Sequence, residues 1–181
     1  SSSGFTIRRS TSGGSSIVVS GFELSNDKRT ATIYLNSTNA PLTTDYDYII
    51  TLSSSITDLQ GLALDSDSRK IEFIGSDVEL SPFEIMAQSI SSDNKTITLI
   101  ANKPFKNTSI SKSCFEISGA YYTSSSSDSI EVNDRTIKIK LRNALRSNDV
   151  VTIKLTNTGK SIIKDMNNQS LVMDEIELLT N

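Results

Sequence analysis

Two pairs of aspartates, a Ser-x-x-Lys spacing at Ser109 and a few tyrosines are the residues of this 181-residue chain that could do chemistry. Asp45 and Asp47 flank Tyr46 in "TTDYDY", and Asp65 and Asp67 alternate in "LDSDS". Paired carboxylates beside hydroxyls and carbonyls can hold Ca²⁺. No twelve-residue EF-hand loop is written here, and Asp and Ser are equally the ordinary residues of solvated turns. The reading is therefore turns, with no metal site and no cofactor expected and Ca²⁺ as the alternative. Ser109 and Lys112 of "SISK" match the spacing of a Ser nucleophile with a Lys base. The segment reads as a loop before a strand, whereas that chemistry places its Ser at the start of a helix. The chain has no His and one Cys, which excludes His-based triads and zinc sites built from Cys and His. No G-x-S-x-G elbow or P-loop is present, and no catalytic residue is assigned.

The remaining polar candidates have equally plain readings. Tyr46 and Tyr48 are expected to share one face of a strand, with Tyr48 in register with Ile50 and Leu52, and Tyr121 and Tyr122 follow Gly119. Sugar-binding modules stack rings on Trp or Tyr, but Trp is absent and core or rim packing is expected. "SGAYYTSSSSDSI" (118–130) and "RRSTSGGSS" (8–16) read as mobile loops. Asn36, Asn94, Asn107 and Asn168 head N-x-S/T sequons in a chain where those residues are common throughout. Cys114, in "SCFEIS", reads as a small strand residue, with intermolecular pairing as the alternative. A net charge of −3 leaves no basic footprint for nucleic acid. No apolar run approaches the length that spans a bilayer.

What positions these residues is a set of strands written twice. "DKRTATIYL" (27–35) matches "NDRTIKIKL" (133–141), "DYIITL" (47–52) matches "VVTIKL" (150–155), and "KIEFI" (70–74) matches "EIELL" (175–179). Within each run the apolar residues alternate: Ile33 and Leu35; Ile137, Ile139 and Leu141; Val151, Ile153 and Leu155. Period two with one polar face predicts half-buried antiparallel strands. Hydrophobic residues are 36% of the chain, which suits thin sandwiches better than one thick core. Helical signals are scarce. The best window, "ELSPFEIMAQSI" (79–90), reads as a linker leading into a strand.

Between the last two matched strands lies a turn in each copy, "SITDLQGLALD" (55–65) and "IIKDMNNQSLV" (162–172). Asp58 is expected to accept N–H groups from the two residues after it, and Gly61 to take positive φ. Leu62 and Leu64 then fold back onto the core. Asn168 stands where Gly61 stands, and Asn is the usual substitute in left-handed backbone. Asp58, Gly61, Asp165 and Asn168 are thus assigned as structural turn residues.

An alternating strand followed by this turn and a closing strand resembles the C-terminal half of the bacterial Ig-like domains of surface-layer proteins and other exoproteins. Those modules end with a "D-x-x-G-N-x-L" turn. Thr57 to Leu64 fits it apart from Leu62, and Lys164 to Leu171 fits it with Asn168 in place of Gly. "ISSDNKTITLIANKPFKNTSISKSCFEISG" (90–119) is similar to the family's opening pattern. The resemblance implies tandem seven-stranded β-sandwiches, an all-β fold, and a structural or adhesive role at a bacterial surface or outside the cell. Residues 1–77 form one module and 78–181 the other. Phe5 aligns with Phe115, so the first module lacks the strands that precede Phe115 in the second. A fragment of a longer repeat protein is the favoured explanation, and strands supplied by a neighbouring subunit the other. The expected partners are neighbouring repeats, with no nucleic acid and no membrane insertion. The alternative function is an adhesin or carbohydrate-binding module whose loops contact a glycan or matrix ligand.

Overall fold

A computed structural model describes residues 4–76, 78–106 and 109–181. The chain divides into two compact units, Ser1–Ser81 and Pro82–Asn181. Asp77, where the sequence reading draws its boundary, lies outside the described residues.

Unit 1 contains β1 (Phe5–Arg9), β2 (Ser16–Ile17), β3 (Val19–Leu24), β4 (Ala31–Leu35), β5 (Asp47–Leu52) and β6 (Lys70–Ile74). Four strands form one sheet in the order β2-β1-β5-β6, and β3-β4 forms a separate two-stranded sheet. The "RRSTSGGSS" segment is the turn of the β1–β2 hairpin, where Ile7 pairs with Ile17. Gly13 sits at φ +75°, a conformation that β-carbons disfavour.

Unit 2 contains β7 (Ile85–Ile90), β8 (Thr96–Ala101), β9 (Phe115–Gly119), β10 (Ser129–Asn133), β11 (Thr136–Lys140), β12 (Val150–Leu155), the helix α1 (Asn157–Ile162) and β13 (Ile176–Leu179). Its sheets run β10-β11-β8-β7 and β13-β12-β9. The window around Ile85–Ile90 is itself a strand, preceded by Pro82 and Phe83. Among the described residues these strands pair antiparallel, and an isolated bridge of Glu84 with Val172 is parallel. The fold class is all-β with packed antiparallel sheets.

Corresponding strands pair in corresponding registers. Phe5 lies opposite Leu52 across β1 and β5, and Phe115 lies opposite Leu155 across β9 and β12. The closing strands β6 and β13 pair with β5 and β12.

The cores differ in depth. Ile97, Leu99, Ile137, Ile139, Val151 and Ile153 are each 0% exposed and lie in one cluster of unit 2. Their alternation with Thr98, Lys138, Lys140 and Thr152 puts the polar residues on the outer faces. Full burial of each such side chain contributes about 1.5–3 kcal/mol. In unit 1 the buried hydrophobic residues are Ile7 and Tyr48 alone among those described.

Helix α1, like β3 and β10, is an element the sequence reading does not contain. Thr156 caps it: Gly159 N–H donates to Thr156 Oγ1 at 3.1 Å, and Thr156 Oγ1 donates to Ser113 O at 2.7 Å. "NTGKSI" carries one Gly and no apolar period, so it reads as a loop; tertiary contact holds it as a helix. A β-carbon on Gly159 would lie 2.2 Å from Cys114 O, so the helix packs where only glycine fits. Among the described residues no helix is long and apolar enough to cross a membrane.

Candidate functional site

The two aspartate turns are built alike. Asp58 Oδ1 accepts the N–H groups of Gln60 and Leu62, each at 2.9 Å. Asp58 N–H donates to Leu62 O, and Gly61 N–H to Asp58 O. The acceptance pattern is therefore i+2 and i+4 rather than the two residues next in line. In unit 2, Asp165 N–H donates to Gln169 O, Asn168 N–H donates to Asp165 O, and Asp165 Oδ1 accepts Gln169 N–H at 2.8 Å. Gly61 and Asn168 take φ +85° and +68°. The carboxylates differ in surroundings. Asp58 is exposed, whereas Asp165 is 0% exposed. Asp165 Oδ2 lies 3.5 Å from Lys103 Nζ, an ion pair without hydrogen-bond geometry. Lys103 Nζ also donates to Gln169 Oε1 at 2.6 Å, which ties the turn to the end of β8.

Leu62 and Leu64 do not reach a core. They are 69% and 48% exposed. This corrects the expectation that they fold inward. Among the described residues they line an open groove instead of a covered core.

The serine tract closes on Asp128. Asp128 Oδ2 accepts Ser125 N–H at 2.9 Å and Lys112 Nζ at 3.0 Å, and Oδ1 accepts Arg142 N–H at 2.9 Å. Lys112 also donates to Ser124 Oγ and Ser125 O, and Tyr122 OH donates to Asp128 Oδ2 at 3.3 Å. Burial pushes the Asp128 carboxyl up, but the Arg142 and Ser125 amides and the Lys112 ammonium outweigh it, and the group sits below the usual range. Burial is also the main reason the Tyr122 phenol is raised. Lys112 is thus engaged with Asp128. Its ammonium also donates to the Ser124 hydroxyl and the Ser125 carbonyl. The sequence hints at none of this, because Asp128 looks like one more polar loop residue.

Each tyrosine is used within the fold. The Arg9 guanidinium lies 3.5 Å from the Tyr46 ring centroid, and that of Arg146 lies 4.3 Å from Tyr121. Tyr46 precedes β5 instead of sharing a strand face with Tyr48. Tyr48 is buried against Phe73, and its OH accepts Thr43 N–H. Asp45 and Asp47 are exposed, and Asp65 Oδ1 accepts Asp67 N–H at 2.9 Å. Among the described residues no group of three His, Cys, Asp or Glu could hold a metal. Cys114 is buried in a 3-10 turn just before β9, not in the strand. Asn36 Oδ1 accepts Thr38 N–H, and Asn94 Nδ2 donates to Asn181 O. Asn107 lies outside the described residues.

A relation missed in the sequence is the β3–β4 hairpin. Its turn "SNDKRT" (25–30) repeats as "SSDNKT" (91–96) between β7 and β8. Asp27 Oδ1 accepts from Ser25 Oγ and Arg29 N–H, and Ser25 Oγ accepts Thr30 N–H. Asp93, Ser91, Lys95 and Thr96 make the same bonds. Lys28 and Asn94 take φ +58° and +54°. The serine hydroxyls, then the Arg29 and Lys95 amides, hold the Asp27 and Asp93 carboxyls below their usual range. Even the bulges coincide, between Val19 and Gly21 and between Ile85 and Ala87. The signal was the Ser-x-Asp-x-x-Thr spacing.

Beside this hairpin unit 1 carries an open apolar groove of about 1150 Å³, lined among others by Phe5, Phe22, Leu24, Ile33, Leu52 and Ile71. In unit 2, Phe83, Ile97, Leu99 and Ala101, on and just before β7–β8, are buried in the core cluster with Ile137 and Ile139.

No protein-family model matches the sequence. No curated protein matches it either. Among solved structures, the chain is similar to the N-terminal part of the bacterial S-layer protein SbsC, at 16% identity and a TM-score of 0.46. That alignment covers 56% of this chain, and the chain spans only 24% of the matched one.

Proposed function

We propose that this chain is a non-catalytic structural segment of a bacterial cell-surface or secreted protein. Its units act as consecutive Ig-like modules of the surface-layer type, serving as spacer, lattice or fibre units. The observation that carries the reading is the pair of turns at Asp58 and Asp165. Each spends its Oδ1 on backbone amides of its own turn. The other conspicuous polar groups are spent the same way: Asp128 on the serine tract, Arg9 and Arg146 on tyrosine rings. Polar groups committed to the scaffold leave a surface made for stacking with neighbouring repeats rather than for chemistry. The place of action is the cell surface or the medium.

The competing role is an adhesin or glycan-binding module using the strand-connecting loops. Glycan and matrix-protein arrays probed with the purified chain decide between the two. A structural module gives no specific signal. Specific binding that disappears when Arg9 and Tyr46, or Ser124 to Ser127, are substituted overturns the proposal in favour of adhesion.

A further inference from the structure

Two asparagines stand at the two ends of β8, the six-residue strand that lies between β11 and β7 in its sheet. Asn94 sits in the turn before the strand and Asn102 directly follows it. Ile97, Leu99 and Ala101 of this strand are fully buried.

Asn102 holds the backbone ahead of β7. Its Oδ1 accepts Glu84 N–H at 3.1 Å, and its Nδ2 donates to Pro82 O at 2.8 Å. Its own N–H donates to Glu84 O, and Phe83 O, between these bonds, accepts Val172 N–H. Asn94 holds the backbone beyond β13. Its Oδ1 accepts Asn181 N–H at 3.0 Å, and its Nδ2 donates to Asn181 O at 2.8 Å. Asn181 Nδ2 donates to Ser91 O of the same turn at 3.2 Å. Asn94 is 5% exposed and takes φ +54°, a left-handed backbone that Asn tolerates. A side-chain amide that offers a donor and an acceptor to one stretch of main chain does what a neighbouring strand does.

Both sets of bonds lie outside the ladders. A pull on Pro82 meets the Asn102 bonds before the β7–β8 ladder, whose first pair is at Ile85. A pull on Asn181 meets the Asn94 bonds before the β12–β13 ladder, whose last pair is at Leu179. Thr180, between them, is tied to Arg146 and Asp149. Asn181 follows a strand of one sheet, and Asn94 belongs to a turn of the other. The bonds therefore pass a load from an edge strand to the buried strand β8, whose covalent backbone joins the two asparagines. Unit 1 closes the matching place differently. Gly75 follows β6 as Thr180 follows β13. Its N–H donates to Tyr46 O at 3.1 Å, and a β-carbon there would lie 2.2 Å from Thr43 O. Lys28, which stands in the β3–β4 turn where Asn94 stands in its own, has an ammonium that accepts no N–H.

We propose that Asn94 and Asn102 form a tension clamp. A load applied across unit 2 runs along β8, the two side-chain amides are its non-covalent links, and β7 and β13 are shielded from peeling. The use of the clamp rests on the structural role proposed above, since a spacer or lattice unit is pulled by its ends.

The full chain is held by its two ends in optical tweezers, and the release of unit 2 is recognised by its greater contour length. For each variant the unfolding rate at fixed load is compared with the unfolding rate in urea extrapolated to water, where no end is pulled. Asn94→Gly keeps the left-handed turn and removes the amide, and Asn102→Ala removes the other. Each is expected to raise the rate under load roughly tenfold more than the rate without load. Asn94→Asp keeps the acceptor and loses the donor. It is expected to fall between the parent and Asn94→Gly, and it carries the same comparison if the glycine variant does not fold. Thr156→Ala, which removes the cap of α1 away from both clamps, is expected to raise the two rates equally. Equal increases with and without load for the Asn94 and Asn102 variants overturn the proposal. So does a Thr156→Ala variant as sensitive to load as they are. Specific binding on the glycan arrays would remove the occasion for load and leave these rates as they are, so the two readings fail separately.

Discussion

Asp58 and Asp165 occupy the same turn, yet they are expected to differ in worth. Asp165→Ala removes a fully buried turn acceptor and one of the partners of Lys103, a loss of roughly 2–3 kcal/mol. Asp58→Ala, at an exposed position, costs about 1 kcal/mol. Urea unfolding of the two variants, followed by circular dichroism, measures the contrast. Equal losses would show that burial of the Asp165 ion pair contributes nothing. Asp128 makes a pH-dependent contribution. Its carboxyl is held below the ordinary value of 3.8, so the stabilisation is fully present above that value and is lost as pH falls through the lower folded-state value. Asp128→Asn is therefore less stable at neutral pH, and its melting temperature falls less steeply between pH 5 and about 2 than that of the parent. An unchanged acid limb would remove Asp128 from the account. Both turn aspartates were legible in the sequence because an Asx turn is a local object. The roles of Asp128 and Lys103 were not, because their partners lie far along the chain.

At the scale of elements, the least legible feature is α1. Its six residues have poor helix propensity, and its length is below what is stable alone. Thr156 and the contact of Gly159 with Cys114 O hold it. Propensity argues that Gly159→Ala should help a helix by up to about 1 kcal/mol. The structure argues the opposite, because the new β-carbon would collide with backbone. The expected outcome is a loss of roughly 1–3 kcal/mol. Thermal melts of the variant decide the sign, and a stabilised variant would mean that α1 is free to shift. The hairpins illustrate the converse. The Ser-x-Asp-x-x-Thr turn closes both β3–β4 and β7–β8 through bonds within six residues. That information was present in the chain and readable, since nothing outside the turn is needed to close it.

For the whole molecule, the unequal cores predict unequal protection. Amides of β8, β11 and β12 lie over side chains that are fully buried, while β3 and β4 border an open groove. Native-state hydrogen exchange is expected to be slowest in β8, β11 and β12 and much faster in β3 and β4. Uniform protection across both units would mean that the groove is covered in solution.

The sequence by itself determined the strands it writes twice, their alternating faces, the all-β class, the two aspartate turns and the absence of His chemistry. These depend on period, on residue type and on bonds a few residues long. Only the tertiary structure decided that Leu62 and Leu64 face outward, that Asp165 is buried against Lys103, that the serine tract wraps Asp128, and that one unit is covered where the other lies open. Each of those is a matter of what arrives from elsewhere in the chain to remove water from a surface, and a local pattern carries no record of that.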